Sequence, residues 1–181
     1  MRKFTVFLFV LGLLITTSCE RADFQDGFSE EVALKSAEMK MTRNFRAHLS
    51  SDQEVAAVPV ESMATGQAIF QLSKDGMSLH YKLIVANLED VLMAHIHMAP
   101  AGANGGVVAW LYPSGPPPAL LAGTTNGILA EGTIMADHLV GDLAGMTLHD
   151  LVKEMKKGGT YVNVHTSAYP AGEIRGQISG E

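Results

Sequence analysis

Three histidines carry the most suggestive chemistry in this chain: His95 and His97 in Ala94-His95-Ile96-His97-Met98, and His165 in Tyr161-Val162-Asn163-Val164-His165-Thr166. Successive side chains on a β-strand point to opposite faces. Read as strands, the first stretch puts both histidines on one face, with Ala94, Ile96 and Met98 on the other. The second groups Tyr161, Asn163 and His165 opposite Val162 and Val164. The apolar faces are the ones that pack, so all three imidazoles are expected on a polar face. Two histidines spaced i, i+2 on a strand stand about 6.5–7 Å apart at their bases, close enough to share one ion. A third from a neighbouring strand completes a three-nitrogen site suited to copper, with zinc the weaker choice. Alternation also places Glu173, Arg175 and Gln177 together, opposite Ile174 and Ile178. There Arg175 is a candidate to attract an anion, Glu173 to orient an imidazole, and Asn163 to act as a further outer partner. The same residues also suit a purely structural arrangement. In that reading the imidazoles bond loop carbonyls, and Arg175 locks onto Glu173.

These side chains must be positioned by short β-type runs punctuated with glycine, asparagine and proline from Asn44 onward. Phe45, Ala47 and Leu49 alternate with polar residues, and Gly66–Ser73 is a second run before the turn signal Lys74-Asp75-Gly76. Leu79–Val85 and Val91–Met98 are read as separate strands. Val107–Tyr112 follows the glycine-rich loop Pro100–Gly106. Pro113–Gly127 is expected to be a surface excursion, and Gly127–Ala136 a strand. Thr147 and Asp150 have capping-box spacing, and Leu148, Leu151, Val152 and Met155 recur at helical spacing. Gly158-Gly159 ends that helix, and Thr160–Thr166 and Gly172–Ser179 close the chain. The fold expected is mainly β, an antiparallel Greek-key sandwich or barrel with one short helix at about 147–157.

The 181 residues are 47% hydrophobic and 18% charged, which supports a packed core. A net charge of -6 without a basic stripe argues against nucleic acid as a partner. Met1-Arg2-Lys3 followed by the apolar run Phe4–Ile15 has the dimensions of a signal peptide and is too short to span a bilayer. Thr16-Thr17-Ser18 leads directly to Cys19, the single cysteine of the chain, which resembles the lipobox of bacterial lipoproteins with Thr16 in place of the usual leucine. The expected organisation is a signal peptide at 1–18, a lipidated Cys19 with a charged tether to 43, and one domain at 44–181. The expected location is extracytoplasmic, with the membrane as a partner through the anchor and an unknown protein or small ligand as a second partner.

Taken in order, several motifs resemble those of the CHRD domain, a module named for its repeats in chordin and found also in bacterial envelope proteins. They are Phe45-Arg46-Ala47-His48-Leu49 with Val58-Pro59, Ala64-Thr65-Gly66, Ala94-His95-Ile96-His97, and Gly159–Thr166 followed by Gly172–Ile178. The resemblance implies a β fold and leaves the biochemical role open. A more distant likeness, to the copper side of copper–zinc superoxide dismutases, casts His95, His97 and His165 as copper ligands and Arg175 as a superoxide-guiding cation. The zinc-binding loop and the cysteine pair of those enzymes have no counterpart here. No catalytic residue is assigned. The leading expectation is a lipid-anchored binding or structural module of the cell envelope; the alternative is a mononuclear copper protein for copper handling or dismutase-like chemistry.

Overall fold

Alternating apolar residues decide the architecture. In the computed structural model, which describes residues 42–181, strand β1 (Asn44–Ser50) buries Phe45, Ala47 and Leu49 and exposes Asn44, Arg46 and His48. Strand β2 (Thr65–Leu72) alternates the same way. The expected leader, Cys19 and the tether as far as residue 41 lie outside the described residues.

The organising element is β3 (Leu79–Met98), a single strand of 20 residues. Its first half pairs with β2 and with β5 (Leu121–Ile134), and its second half with β4 (Gly106–Tyr112) and β6 (Thr160–Thr166). The two strands expected at Leu79–Val85 and Val91–Met98 are therefore one. Asn87 and Asp90 take positive φ values of 58° and 49° at the junction, where the pairing with β5 shifts register. Asparagine and aspartate tolerate that conformation, so the strand bends there without breaking. The surface excursion is also shorter than expected: β5 begins at Leu121. It has no clean polar–apolar alternation, because most of its residues up to Ile128 are exposed on both faces; pairing with β3 makes it a strand.

Every pairing is antiparallel, and β6 continues to β7 (Ile174–Gln177), which meets β1; β8 (Ser179–Gly180) also pairs with β1. Following neighbours from β3 through β2, β1, β7 and β6 returns to β3, so the sheet closes into a barrel. The interior holds Leu83, Ala94, Ile96, Val162, Val164 and Ile174 among others, all buried. Each large aliphatic side chain so buried contributes about 1.5–3 kcal/mol relative to exposure. Helix α1 (Leu148–Lys156) buries Leu148, Leu151, Val152 and Met155. The Asp150 carboxylate accepts the Thr147 backbone N–H at 3.0 Å and its hydroxyl at 2.7 Å, so the expected start is the observed one.

A buried three-histidine cluster

Register across the barrel wall assembles the site. His95 lies opposite Asn163 on β6, and Asn163 opposite Arg175 on β7; His97 lies opposite Tyr161, and Tyr161 opposite Gln177. Residues paired across strands point to the same side. Since Ile96, Val162 and Val164 fill the barrel interior, these polar side chains form a layer on its outer wall. Register shifts on either side of Ile96 in the β3–β4 pairing fall at the histidine pair itself, a common way for a strand to re-aim functional side chains.

The three imidazoles converge as the spacing predicts. One ring nitrogen from each of His95, His97 and His165 lies within 4.8 Å of the others. The polar face is not solvated, however. His95 is 2%, His97 8% and His165 5% exposed, and every residue of β6 is buried. The cover comes from segments without strand periodicity, which parity arguments do not reach. Asn104 in the 99–105 loop donates to the Val55 carbonyl at 2.8 Å, tying that loop to the one between β1 and β2. The Pro170 carbonyl, after β6, reaches His165.

Hydrogen bonds fix the ring nitrogens. A carbonyl only accepts, so the 3.0 Å contact to Gly105 O makes His97 Nδ1 a donor and leaves its Nε2 lone pair free. His165 Nδ1 likewise donates to Pro170 O at 3.0 Å. Its Nε2 must then accept from His95 Nδ1, at 3.3 Å. That leaves a lone pair on His95 Nε2, and the Nε2 atoms of both His95 and His97 are buried without a partner. Two orphaned lone pairs in one cluster are costly unless something occupies them. A metal ion fits this donor set if it replaces the shared proton: with His95 as its Nε2–H tautomer, His95 Nδ1 and His165 Nε2 both offer lone pairs 3.3 Å apart, and nitrogens bound to one ion at about 2.0–2.1 Å lie about 3.3–3.6 Å apart.

Electrostatics favour the neutral, ligating form. Burial pushes His95 down to about 3, with repulsion from His165 and His97 adding to it. Burial also takes His165 down to about 4, against the pull of its Pro170 bond. His97 is lowered by burial and by the Arg175 charge, partly offset by the Gly105 bond.

Arg175 is placed differently from a guiding cation. It is 2% exposed, its guanidinium lies 3.4 Å over the Tyr161 ring, and it donates to Asn104 Oδ1 at 3.0 Å and Ala103 O at 2.7 Å. Its donors are committed to the 99–105 loop, so it acts as a brace. It does not lock onto Glu173, whose carboxyl oxygens accept the Ser62 and Thr166 hydroxyls at 2.6 Å each. The N–H groups of His97 and His165 meet backbone carbonyls and that of His95 meets His165, so Glu173 orients none of them. Asn163 donates to Glu54 Oε2 at 3.4 Å.

Several contributors were not singled out from sequence. Gly105 presents its carbonyl to His97 and donates its N–H to the Tyr161 hydroxyl at 3.2 Å. A Cβ at Gly105 would lie 1.9 Å from Met98 O, so only glycine fits. The Tyr161 ring stacks on His97 at 4.9 Å, and Trp110 stands edge-on to His95 at 4.2 Å. Glu54 sits beside Asn163 and is pushed up to about 7 by burial, against the opposing pull of Arg175 and the Asn163 bond. Tyr161 and Gly105 lie inside stretches already marked as motif and loop; nothing in the pattern around Glu54 sets it apart.

Among the described residues, no helix is long and apolar enough to cross a membrane. The chain shows no significant match to curated proteins or to solved structures. The family model of the CHRD domain matches residues 45–178, which takes in the closed barrel and all three histidines. The chain belongs to the CHRD domain family.

Proposed function

We propose that this CHRD domain is a non-catalytic binding module whose ligand is one copper ion, held by His95, His97 and His165. The observation that carries the reading is the convergence of three buried, neutral imidazoles within 4.8 Å, two of them with a buried Nε2 that has no partner among the described residues. An all-nitrogen donor set suits copper or zinc, and copper leads in intrinsic affinity. The commitment of Arg175 to the 99–105 loop speaks against superoxide guidance, and so for copper handling over dismutase chemistry. The lipobox-like approach to Cys19 supports an extracytoplasmic setting in which the domain is tethered to a membrane by lipid.

The test is metal analysis of protein purified without an affinity tag and offered copper and zinc separately. Retention of about one copper per chain, lost in His95→Ala and His165→Ala, is the expected result. No retained metal at micromolar supply refutes it. For the anchor, labelling with a radioactive fatty acid is expected in the native protein and not in Cys19→Ser; labelling that persists in the variant refutes lipidation.

A further inference from the structure

We infer that the three-histidine site selects copper in its monovalent state over divalent ions, which makes it a holder of cuprous ion and not a site of redox turnover. This deepens the copper reading above and rests on it.

Charge sets the selectivity. The cost of moving an ion from water into a low-dielectric interior grows with the square of its charge, so a divalent ion faces about four times the penalty of a monovalent one. Proteins normally offset that penalty with anionic ligands or with water left on the ion. Among the described residues no carboxylate or thiolate joins the cluster, and the rings are shut off from bulk solvent. The donors are three neutral rings, each at least nine-tenths buried. Neither Glu173 nor Glu54 joins the cluster: Glu173 accepts the Ser62 and Thr166 hydroxyls, and Glu54, which burial holds toward its protonated form, meets Asn163 through one oxygen. A fixed positive charge stands close by, since the Arg175 guanidinium lies 3.4 Å over the Tyr161 ring, which in turn stacks on His97 at 4.9 Å. Zinc and cupric ions are therefore disfavoured at a site whose nitrogen donors would otherwise suit them. Cuprous ion needs neither a fourth ligand nor a compensating anion.

Asn163 supplies the sharpest variant, because it lies opposite His95 in the β3–β6 pairing and is 3% exposed. Replacing its amide by the isosteric carboxylate in Asn163→Asp adds one negative charge beside the rings.

The experiment compares dissociation constants for cuprous ion, under anaerobic reducing conditions against a chromophoric cuprous chelator, with those for zinc against a zinc chelator. X-ray absorption of the cuprous form then counts ligands. Native protein is expected to hold cuprous ion tighter than zinc by on the order of a hundredfold or more, with three nitrogen neighbours, and Asn163→Asp to narrow that ratio by on the order of tenfold. Zinc bound as tightly as cuprous ion by the native protein overturns the inference, whether or not the variant folds, and leaves the metal site standing. Failure to bind either ion overturns the copper reading itself.

Discussion

The two halves of β3 obey the same alternation and meet opposite fates. In the first half, His80 and Lys82 face outward and stay in solvent; His80 bonds Thr133 at 2.9 Å and Lys82 pairs with Glu131 at 3.0 Å. In the second half, His95 and His97 also face away from the barrel interior, yet both are buried. The strand is the same, and the difference is cover. The second half lies under the 99–105 loop and the chain after β6, braced by Arg175, and among the described residues nothing covers His80 on the outer face of the first half in that way. Strand parity thus aims a side chain, and loops decide whether it meets water or becomes a ligand.

Variants can break that contrast. The largest effect is expected from the ligands: His97→Ala or His165→Ala should weaken copper binding by on the order of a hundredfold or more, measured by chelator competition. His80→Ala should leave it unchanged, and an effect of similar size there would erase the distinction between the halves.

The apolar side of the same wall should govern stability instead. Ile96→Ala, between the two histidines, is expected to cost about 2–5 kcal/mol in denaturant unfolding, because Ile96 is wholly buried in the core. A loss of copper affinity from this variant without a loss of stability would contradict the division of labour between the faces.

The brace comes next. Arg175→Met keeps most of the packing volume but removes the donors to Asn104 and Ala103. Copper affinity is expected to fall about 10–100-fold, with the His97 Nδ1–H proton losing its single hydrogen-bonded NMR signature. Unchanged affinity would show that the loop holds without it.

A subtler effect is in pH. His95 and His165 titrate near 3 and 4 when folded, against an ordinary value of 6.5, and His97 is shifted the same way. Between about pH 6.5 and 4 the unfolded chain takes up protons that the native state refuses, so metal-free protein should lose stability as pH falls through that window. Glu54 opposes this. Its folded value of about 7 against 4.5 means that the native state holds the extra proton between those values, which favours folding as pH falls. One carboxyl against three imidazoles leaves the net slope downward on acidification. Denaturation midpoints of metal-free native protein and His95→Ala, measured between pH 7 and 4, check the sign; a variant whose acid sensitivity matches the native protein would contradict it.

Much of this was legible in the sequence, for physical reasons that differ by element. The barrel strands with one solvated face announce themselves by period two, and α1 by its cap and its apolar stripe. The histidine trio was legible because parity is local and strand pairing adds only register. What parity does not encode is what lies above the wall. The burial of His95, the role of Gly105, and the commitment of Arg175 to the 99–105 loop all depend on loops whose course is set by single hydrogen bonds. The continuity of β3 was hidden for a related reason: Asn87 and Asp90 look like turn residues, and here they bend a strand that pairing keeps intact.

The most direct test of the central claim is a crystal structure of copper-loaded protein with anomalous differences recorded at the copper absorption edge. One strong peak is expected amid the nitrogens of His95, His97 and His165. A trio without a peak, or peaks only among surface methionines such as Met63 and Met77, would contradict it.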